Sequence, residues 1–108
     1  ANQLDSFFSA IADPTRRAVI ERLVHGPAAV SELYAPHDMA LPSFLKHLNK
    51  LEQAGLVHTI KQGRTRMVYI ETAPLIAAED WLDRQRAQWT RRLDRLAALA
   101  ENLEQEKP

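Results

Sequence analysis

The chain contains no cysteine. That absence excludes a disulfide framework, a thiol redox switch and any metal site built on thiolates. No run of about 18 apolar residues occurs, so no segment reads as a membrane-spanning helix. The leading stretch ANQLDSFFSAIADPTRR lacks the basic-then-apolar layout of a secretion signal, and a cytoplasmic setting is the expectation. There is no internal repeat and no low-complexity segment. An enzyme fails on inventory: no nucleophile stands beside a base at a familiar spacing, no glycine-rich loop could cradle a phosphate, and no paired carboxylates lie on a loop. Neither sign of charge is in excess, since 14 Lys and Arg balance 14 Asp and Glu. A net charge of zero argues against a general polyanion binder.

What is present points elsewhere. A length of 108 residues is one domain, 1–108. It buries a modest core, and proteins of this size often complete theirs by dimerising. The charge is unevenly placed. Residues 37–70 hold Lys46, Lys50, Lys61, Arg64 and Arg66 against Asp38 and Glu52, whereas residues 71–108 are net acidic. Such asymmetry focuses a positive field on one surface, that of the middle third.

Along the chain, Leu4, Phe7, Phe8 and Ile11 fall at i, i+3, i+4 and i+7, the apolar stripe of a first helix. In ADPTRRAVIERLVHGP, Asp13 suits an N-cap, Pro14 the first helical position, and Gly26-Pro27 the stop. Ala18, Val19, Leu23, Ile20 and Val24 are its inward positions. A third, short helix runs over about 30–35 and ends at Pro36. A fourth covers Leu41 to Gln53 and ends at Gly55. LVHTIKQGRTRMVYIE then reads as a hairpin: Val57, Thr59, Ile60, Val68, Tyr69 and Ile70 are strand formers around a turn at Gln62-Gly63-Arg64. From Pro74 the chain is helical to about Leu103. Leu75, Leu82, Trp89, Leu96 and Leu103 recur every seven residues, the seam of packed helices. A helix of roughly 30 residues is about 45 Å long, more than the width of so small a domain, so part of this seam is expected to pack on another chain.

Projected at about 100° per residue, the fourth helix gathers Leu41, Phe44, Leu48 and Leu51 on one side. Lys46, Asn49, Lys50 and Gln53 lie opposite, with Ser43 at the edge, and Leu45 and His47 take the flanks. Lysine can bind phosphates or guanine, Asn and Gln can bridge adenine, and leucine can rest on a thymine methyl. A polar face alone is ordinary for a surface helix. Helix, turn and second helix followed by a hairpin with Lys61, Gly63, Arg64 and Arg66 at its tip is the order of a winged helix-turn-helix. The expected fold is mainly α with a small β-hairpin, in the order α-α-α-α-β-β-α.

The segments IADPTRRAVIERL, VSELYAPHDMALPSFLKHLNKLEQAGLV and KQGRTRMVYI, in that order and spacing, resemble the ArsR-type winged helix-turn-helix transcriptional regulators. The tail APLIAAEDWLDRQRAQWTRRLDRL is similar to the branch with E-x-W-L and a second tryptophan and without metal-binding cysteines. The resemblance implies a homodimer held by its first and last helices (1–12 and 74–104), with a helix-turn-helix over 30–53 and a wing over 56–71. It further implies double-stranded DNA as partner, a palindromic operator and a repressor. The DNA-contacting residues expected are Ser43, Leu45, Lys46, His47, Asn49, Lys50 and Gln53, together with Lys61, Arg64 and Arg66 of the wing. The dimer residues expected are Leu4, Phe7, Phe8, Ile11, Leu82, Trp89, Leu93, Leu96 and Leu103.

Two departures matter. The third-helix stretch SELYAPHD has no cysteine and nothing after His58 is a histidine, so both metal sites of the family are missing and no metal or cofactor is expected. Where the family usually has S-x-P-x-x-S-K-H-L, this chain has Ala40 and Leu45 in place of the two hydroxyls. Loss of an N-cap hydroxyl costs roughly 1 kcal/mol of helix stability, and loss of a phosphate contact weakens binding without regard to sequence. The alternative is a winged-helix dimer that serves as a protein-interaction module without operator binding. His25, His37, His47 and His58 are scattered without ligand spacing, and His47 reads as an interface or orienting group. Arg16 and Arg17 are open to phosphate contact or to pairing with Asp or Glu. Arg84, Arg86, Arg91, Arg92 and Arg95 alternate with Glu79, Asp80, Asp83 and Asp94 as a paired, solvated face. Trp81 and Trp89 read as dimer packing in preference to a ligand pocket.

Overall fold

Helices start and stop where the capping residues put them. A computed structural model describes residues 2–106; residues 1, 107 and 108, the ends of the domain read from the sequence, lie outside the described residues. Helix α1 (Gln3–Ile11) begins after Asn2, whose side chain accepts from the Asp5 N–H at 2.9 Å. Helix α2 (Pro14–Leu23) is capped by Asp13, whose carboxylate accepts from the Arg16 N–H at 3.1 Å, with Pro14 preset for the first turn. The last carbonyls of α1, which a helix cannot satisfy itself, are taken by arginines from the first turn of α2. Arg16 Nε donates to Ala10 O at 2.5 Å and Arg17 Nη1 to Ile11 O at 2.8 Å.

Asp13 also sets an acid limit. Its partial burial favours the neutral acid, but the Arg16 N–H, the charge that His47 carries when protonated, and the charge of Arg16 hold its carboxyl below the ordinary value of 3.8. A carboxyl lowered in the fold adds stability above its unfolded pKa and loses it as pH falls through the lowered one. Asp13→Ala is expected to cost about 1 kcal/mol, a drop of about 5 °C in melting midpoint. The loss should be present at neutral pH and shrink in acid. Thermal melts of parent and variant across that range check it; an equal loss at every pH would leave the cap alone responsible.

Strand β1 (Ala28–Ala29) leads straight into α3 (Val30–Tyr34). Glu32 accepts from the Ala29 N–H at 3.3 Å, half of a capping box. Helix α4 (Leu41–Gln53) follows a turn that the Tyr34 hydroxyl ties down by donating to Met39 O at 2.7 Å. Ala40 occupies its N-cap with no side-chain hydrogen bond. The helix ends in a Schellman motif: Gly55 takes φ +75°, its N–H donates to Glu52 O, and the Leu56 N–H donates to Leu51 O, each at 3.0 Å. Leu56 is fully buried and its carbonyl accepts from the Glu71 N–H at 2.8 Å. Strands β2 (Val57–Gln62) and β3 (Thr65–Ile70) pair antiparallel, with Gln62 opposite Thr65. In the two-residue loop only Gly63 has positive φ (+65°), the pattern of a type II′ hairpin turn. Strand β1 joins the other edge of β3, giving the order β1-β3-β2.

The chain divides into two units, residues 1–77 and 78–108. The first has a core of Val19, Leu23, Leu33, Phe44, Leu51, Leu56, Val57 and Val68. The second is most of α5 (Ala73–Gln105), whose Leu82, Trp89, Leu93, Leu96, Leu99 and Leu103 are exposed.

The fold is the winged helix-turn-helix expected, with β1 added to the hairpin. Four details differ from the sequence reading. Val24 is 65% exposed, because it follows the last residue of α2 and helical spacing no longer governs it. Leu41 is 44% exposed, because a projection gives an angle and not a depth, and this residue starts its helix. Phe7 is 6% exposed and so already covered within one chain, leaving little surface for a partner. Helix α3 stops at Tyr34, with Ala35 as its C-cap.

Candidate nucleic-acid interface

The polar face of α4 exists because its apolar stripe is spent inward. Phe44, Leu48 and Leu51 are buried; the Tyr34 ring packs at a tilt against Phe44 and the His37 ring stacks on it, with centroids 5.3 Å and 5.4 Å away. Ser43, Lys46, Asn49, Lys50 and Gln53 are all exposed, as is Leu45. Among the described residues, neither Lys46 nor Lys50 has an ion-pair partner. Lys50 and Gln53 also edge a shallow cleft of about 290 Å³ beside Ser6, Ser9 and Arg16. The cationic and amide donors are thus free to meet a polyanion.

The hairpin brings a second exposed group: Lys61, Arg64 and Arg66. Lys61 and Arg66 face each other across the strands. Arg66 is drawn back along the hairpin, its Nη1 donating to the Thr59 hydroxyl at 2.8 Å, and Thr59 in turn reaches Glu52 at the end of α4. Tyr69 holds Gln62 at 2.8 Å, and His58 stacks on the Tyr69 ring and pairs with Glu71. Glu52, the acidic residue within α4, is thereby engaged with the wing.

His47 differs from its neighbours. It is half-buried against α2, with Nδ1 2.9 Å from Arg16 Nη1 and 3.7 Å from Asp13 Oδ2. Arg16 itself is 8% exposed, so it is a core residue and not a free phosphate contact. The sequence does carry a signal for this: Arg16, Val19, Ile20 and Leu23 fall at i, i+3, i+4 and i+7, and all four are buried. Thr59 and Tyr34 were likewise missed as positioning groups, and nothing in residue type or spacing marks them.

On α5, Leu82, Trp89, Leu93, Leu96 and Leu103 lie within about 80° of one another at helical spacing, each about half exposed. Arg86 pairs with Asp83 at 2.6 Å, and Arg92 sits 5.7 Å from the Trp89 ring centre. Among the described residues, no three His, Cys, Asp or Glu side chains come together as a metal site requires, and no helix is long and apolar enough to cross a membrane.

Comparison with known proteins agrees with this geometry. Residues 11–60 match the family model of a helix-turn-helix domain. The chain is similar to the HTH-type transcriptional regulator Rv2034 of Mycobacterium tuberculosis, 39% identical over 98 residues that cover 91% of this chain and 89% of the relative. It is 28% identical to the transcriptional repressor SdpR of Bacillus subtilis over 79 residues, 73% of this chain and 88% of that one. Its fold superposes on the crystal structure of the ArsR family transcriptional regulator RHA00566 with a TM-score of 0.78 and 55% identity, over 82% of this chain and 98% of the other. A basic helix-turn-helix, a wing and these relatives lead to one conclusion: the chain is a member of the ArsR family of winged helix-turn-helix transcriptional regulators.

Proposed function

We propose that this regulator is a homodimeric repressor that binds a palindromic operator, working on DNA in the cytoplasm as one domain over 1–108. In this reading α4 enters the major groove, within a helix-turn-helix over 30–53. Ser43, Lys46, Asn49, Lys50 and Gln53 meet bases and phosphates, while Leu45 and His47 meet the groove walls. The wing over 56–71 lays Lys61, Arg64 and Arg66 along the neighbouring backbone. Residues 1–12 and 74–104 join two protomers through Leu4, Phe8, Ile11 and the exposed seam of α5. No metal takes part.

The observation that carries the reading is the pairing of an unneutralised cationic face on α4 with a basic hairpin tip, both held by buried residues. That SdpR is a transcriptional repressor supports the direction of control. Symmetric dimers recognise two half-sites about one helical turn apart, which fits an inverted repeat. The test is a titration of duplex DNA carrying the inverted repeat nearest the gene, at two salt concentrations. Tight binding that falls steeply with salt is expected. Absent or salt-indifferent binding would favour a protein-interaction module, for which the uncapped start of α4 is the supporting feature. Arg64 is exposed at the turn, so Arg64→Ala should weaken every duplex alike and lower the salt slope by about 1; a loss confined to the operator would contradict a backbone role.

A further inference from the structure

Arginine has five N–H donors, no acceptor and no accessible neutral form. Its approach to a histidine nitrogen at hydrogen-bond distance therefore settles the state of that nitrogen. Arg16 Nη1 lies 2.9 Å from His47 Nδ1, and this is a hydrogen bond only if Nδ1 carries no proton. A neutral imidazole with a bare Nδ1 holds its hydrogen on Nε2. The opposite assignment would set two N–H groups head to head. A doubly protonated ring would add a second positive charge beside the guanidinium, with Asp13 at 3.7 Å outside hydrogen-bond reach.

Arg16 has little freedom to turn away. It is 8% exposed, and two of its other donors are engaged at the end of α1, Nε on Ala10 O at 2.5 Å and Nη2 on Ser9 O at 3.4 Å. Asp13 sits beside it, accepting from the Arg16 backbone N–H. The guanidinium is thus held against the end of α1. On the other side, His47 belongs to α4, one residue from Lys46, with its side chain 25% exposed. The two ring nitrogens lie on different edges, so with Nδ1 against α2 the Nε2–H is turned away from Arg16. His47 is on a flank of α4, and a flank in the major groove faces the phosphate-lined wall.

We infer that Arg16 is a positioning residue for the DNA interface: it holds His47 as the Nε2–H tautomer, a fixed hydrogen-bond donor for a phosphate oxygen of the duplex. The inference rests on α4 being the DNA helix and adds the tautomer, the donor atom and the buried residue that sets them. A free histidine would spend part of its time as the other tautomer, offering a lone pair that repels a phosphate. Arg16 removes that loss before binding.

The tautomer is measured first, without DNA, from the imidazole ¹⁵N shifts of the free protein at neutral pH. A bare Nδ1 and a protonated Nε2 are expected. In Arg16→Gln, whose amide can donate or accept, the population should shift toward Nδ1–H, with the fold confirmed by melting. Titrations against the operator duplex follow with two isosteres. The Gln amide nitrogen reaches the Nε2 position, so His47→Gln should keep affinity within a few-fold of the parent. Asn mimics only the Nδ1 position, so His47→Asn should lose about tenfold, the worth of one charge-assisted hydrogen bond. An Nδ1–H or doubly protonated ring in the parent overturns the inference, as does His47→Gln binding no better than His47→Asn. Failure of the underlying reading looks different: the parent protein would not bind the operator, whatever its tautomer.

Discussion

Replacing Lys46 and Lys50 together by alanine is expected to weaken operator binding by about a hundredfold. Both side chains are exposed on the polar face of α4 and lack an ion-pair partner among the described residues. Their removal takes nothing from the core, and alanine is the better helix former, so the circular dichroism and the melting midpoint should not fall. Each ammonium bound to a phosphate or a guanine is a charge-assisted contact worth about 1.5 kcal/mol or more, tenfold in affinity. If both contacts are to phosphates, the slope of log affinity against log salt should also become shallower by about 2. Titrating parent and double variant against the same duplex at several salt concentrations reads both quantities. A variant with the parent's affinity and slope would remove α4 from the interface. A loss of affinity with an unchanged slope would move the lysines from phosphates to base edges.

Placing a carboxylate in the seam of α5 should separate the protomers. Leu96 and Trp89 are 54% and 58% exposed in one chain. Leu96→Glu or Trp89→Glu therefore leaves the single chain intact, and glutamate is a good helix residue. In a symmetric dimer the charge enters the apolar contact twice, once from each protomer. Burying an unpaired carboxylate costs several kcal/mol, so the dimer dissociation constant should rise by at least about a thousandfold. Sedimentation velocity should then show a monomer in place of the dimer proposed for the parent, and operator binding should fall because a lone half-site is held weakly. A variant that still sediments as a dimer would rule out this seam as the contact.

Much of the molecule could be read before any coordinates, and the reasons differ from place to place. Asp13-Pro14, Gly55 and Gly63 act through local sterics and local hydrogen bonds, so their positions alone announced a helix start, a helix stop and a hairpin turn. The stripe Phe44, Leu48, Leu51 obeys helical periodicity, which is equally local. Strand β1 was not legible. Alanine has little intrinsic strand preference, and Ala28-Ala29 becomes a strand because β3 offers a free edge in register with it. Burial of Arg16 was hidden for a related reason. Its partners are Ser9, Ala10 and His47, from two other helices, and a charged residue at an inward position reads as solvated until those acceptors are known. The exposed polar and cationic residues of α4 and of the wing could be grouped from sequence. The tie between them, Arg66 to Thr59 to Glu52, could not, because it crosses three elements.

The joint between α4 and the hairpin has a mechanical consequence. Only Ala54, Gly55 and Leu56 separate the helix from β2. The bonds Leu56 N–H to Leu51 O and Glu71 N–H to Leu56 O fasten the helix end to both strands, around a side chain with no exposed surface. A hinge needs residues free to change their dihedral angles, and here all three have their N–H groups committed to carbonyls at the end of the helix. Helix and wing therefore form a rigid caliper whose jaws stand a set distance apart. On the proposed reading such a caliper would measure before it reads: duplexes whose groove width already matches the gap would bind with little deformation, and others would have to be bent or widened to fit. Base pairs under the span between the jaws, touched by no side chain, would then still influence which sites this regulator occupies.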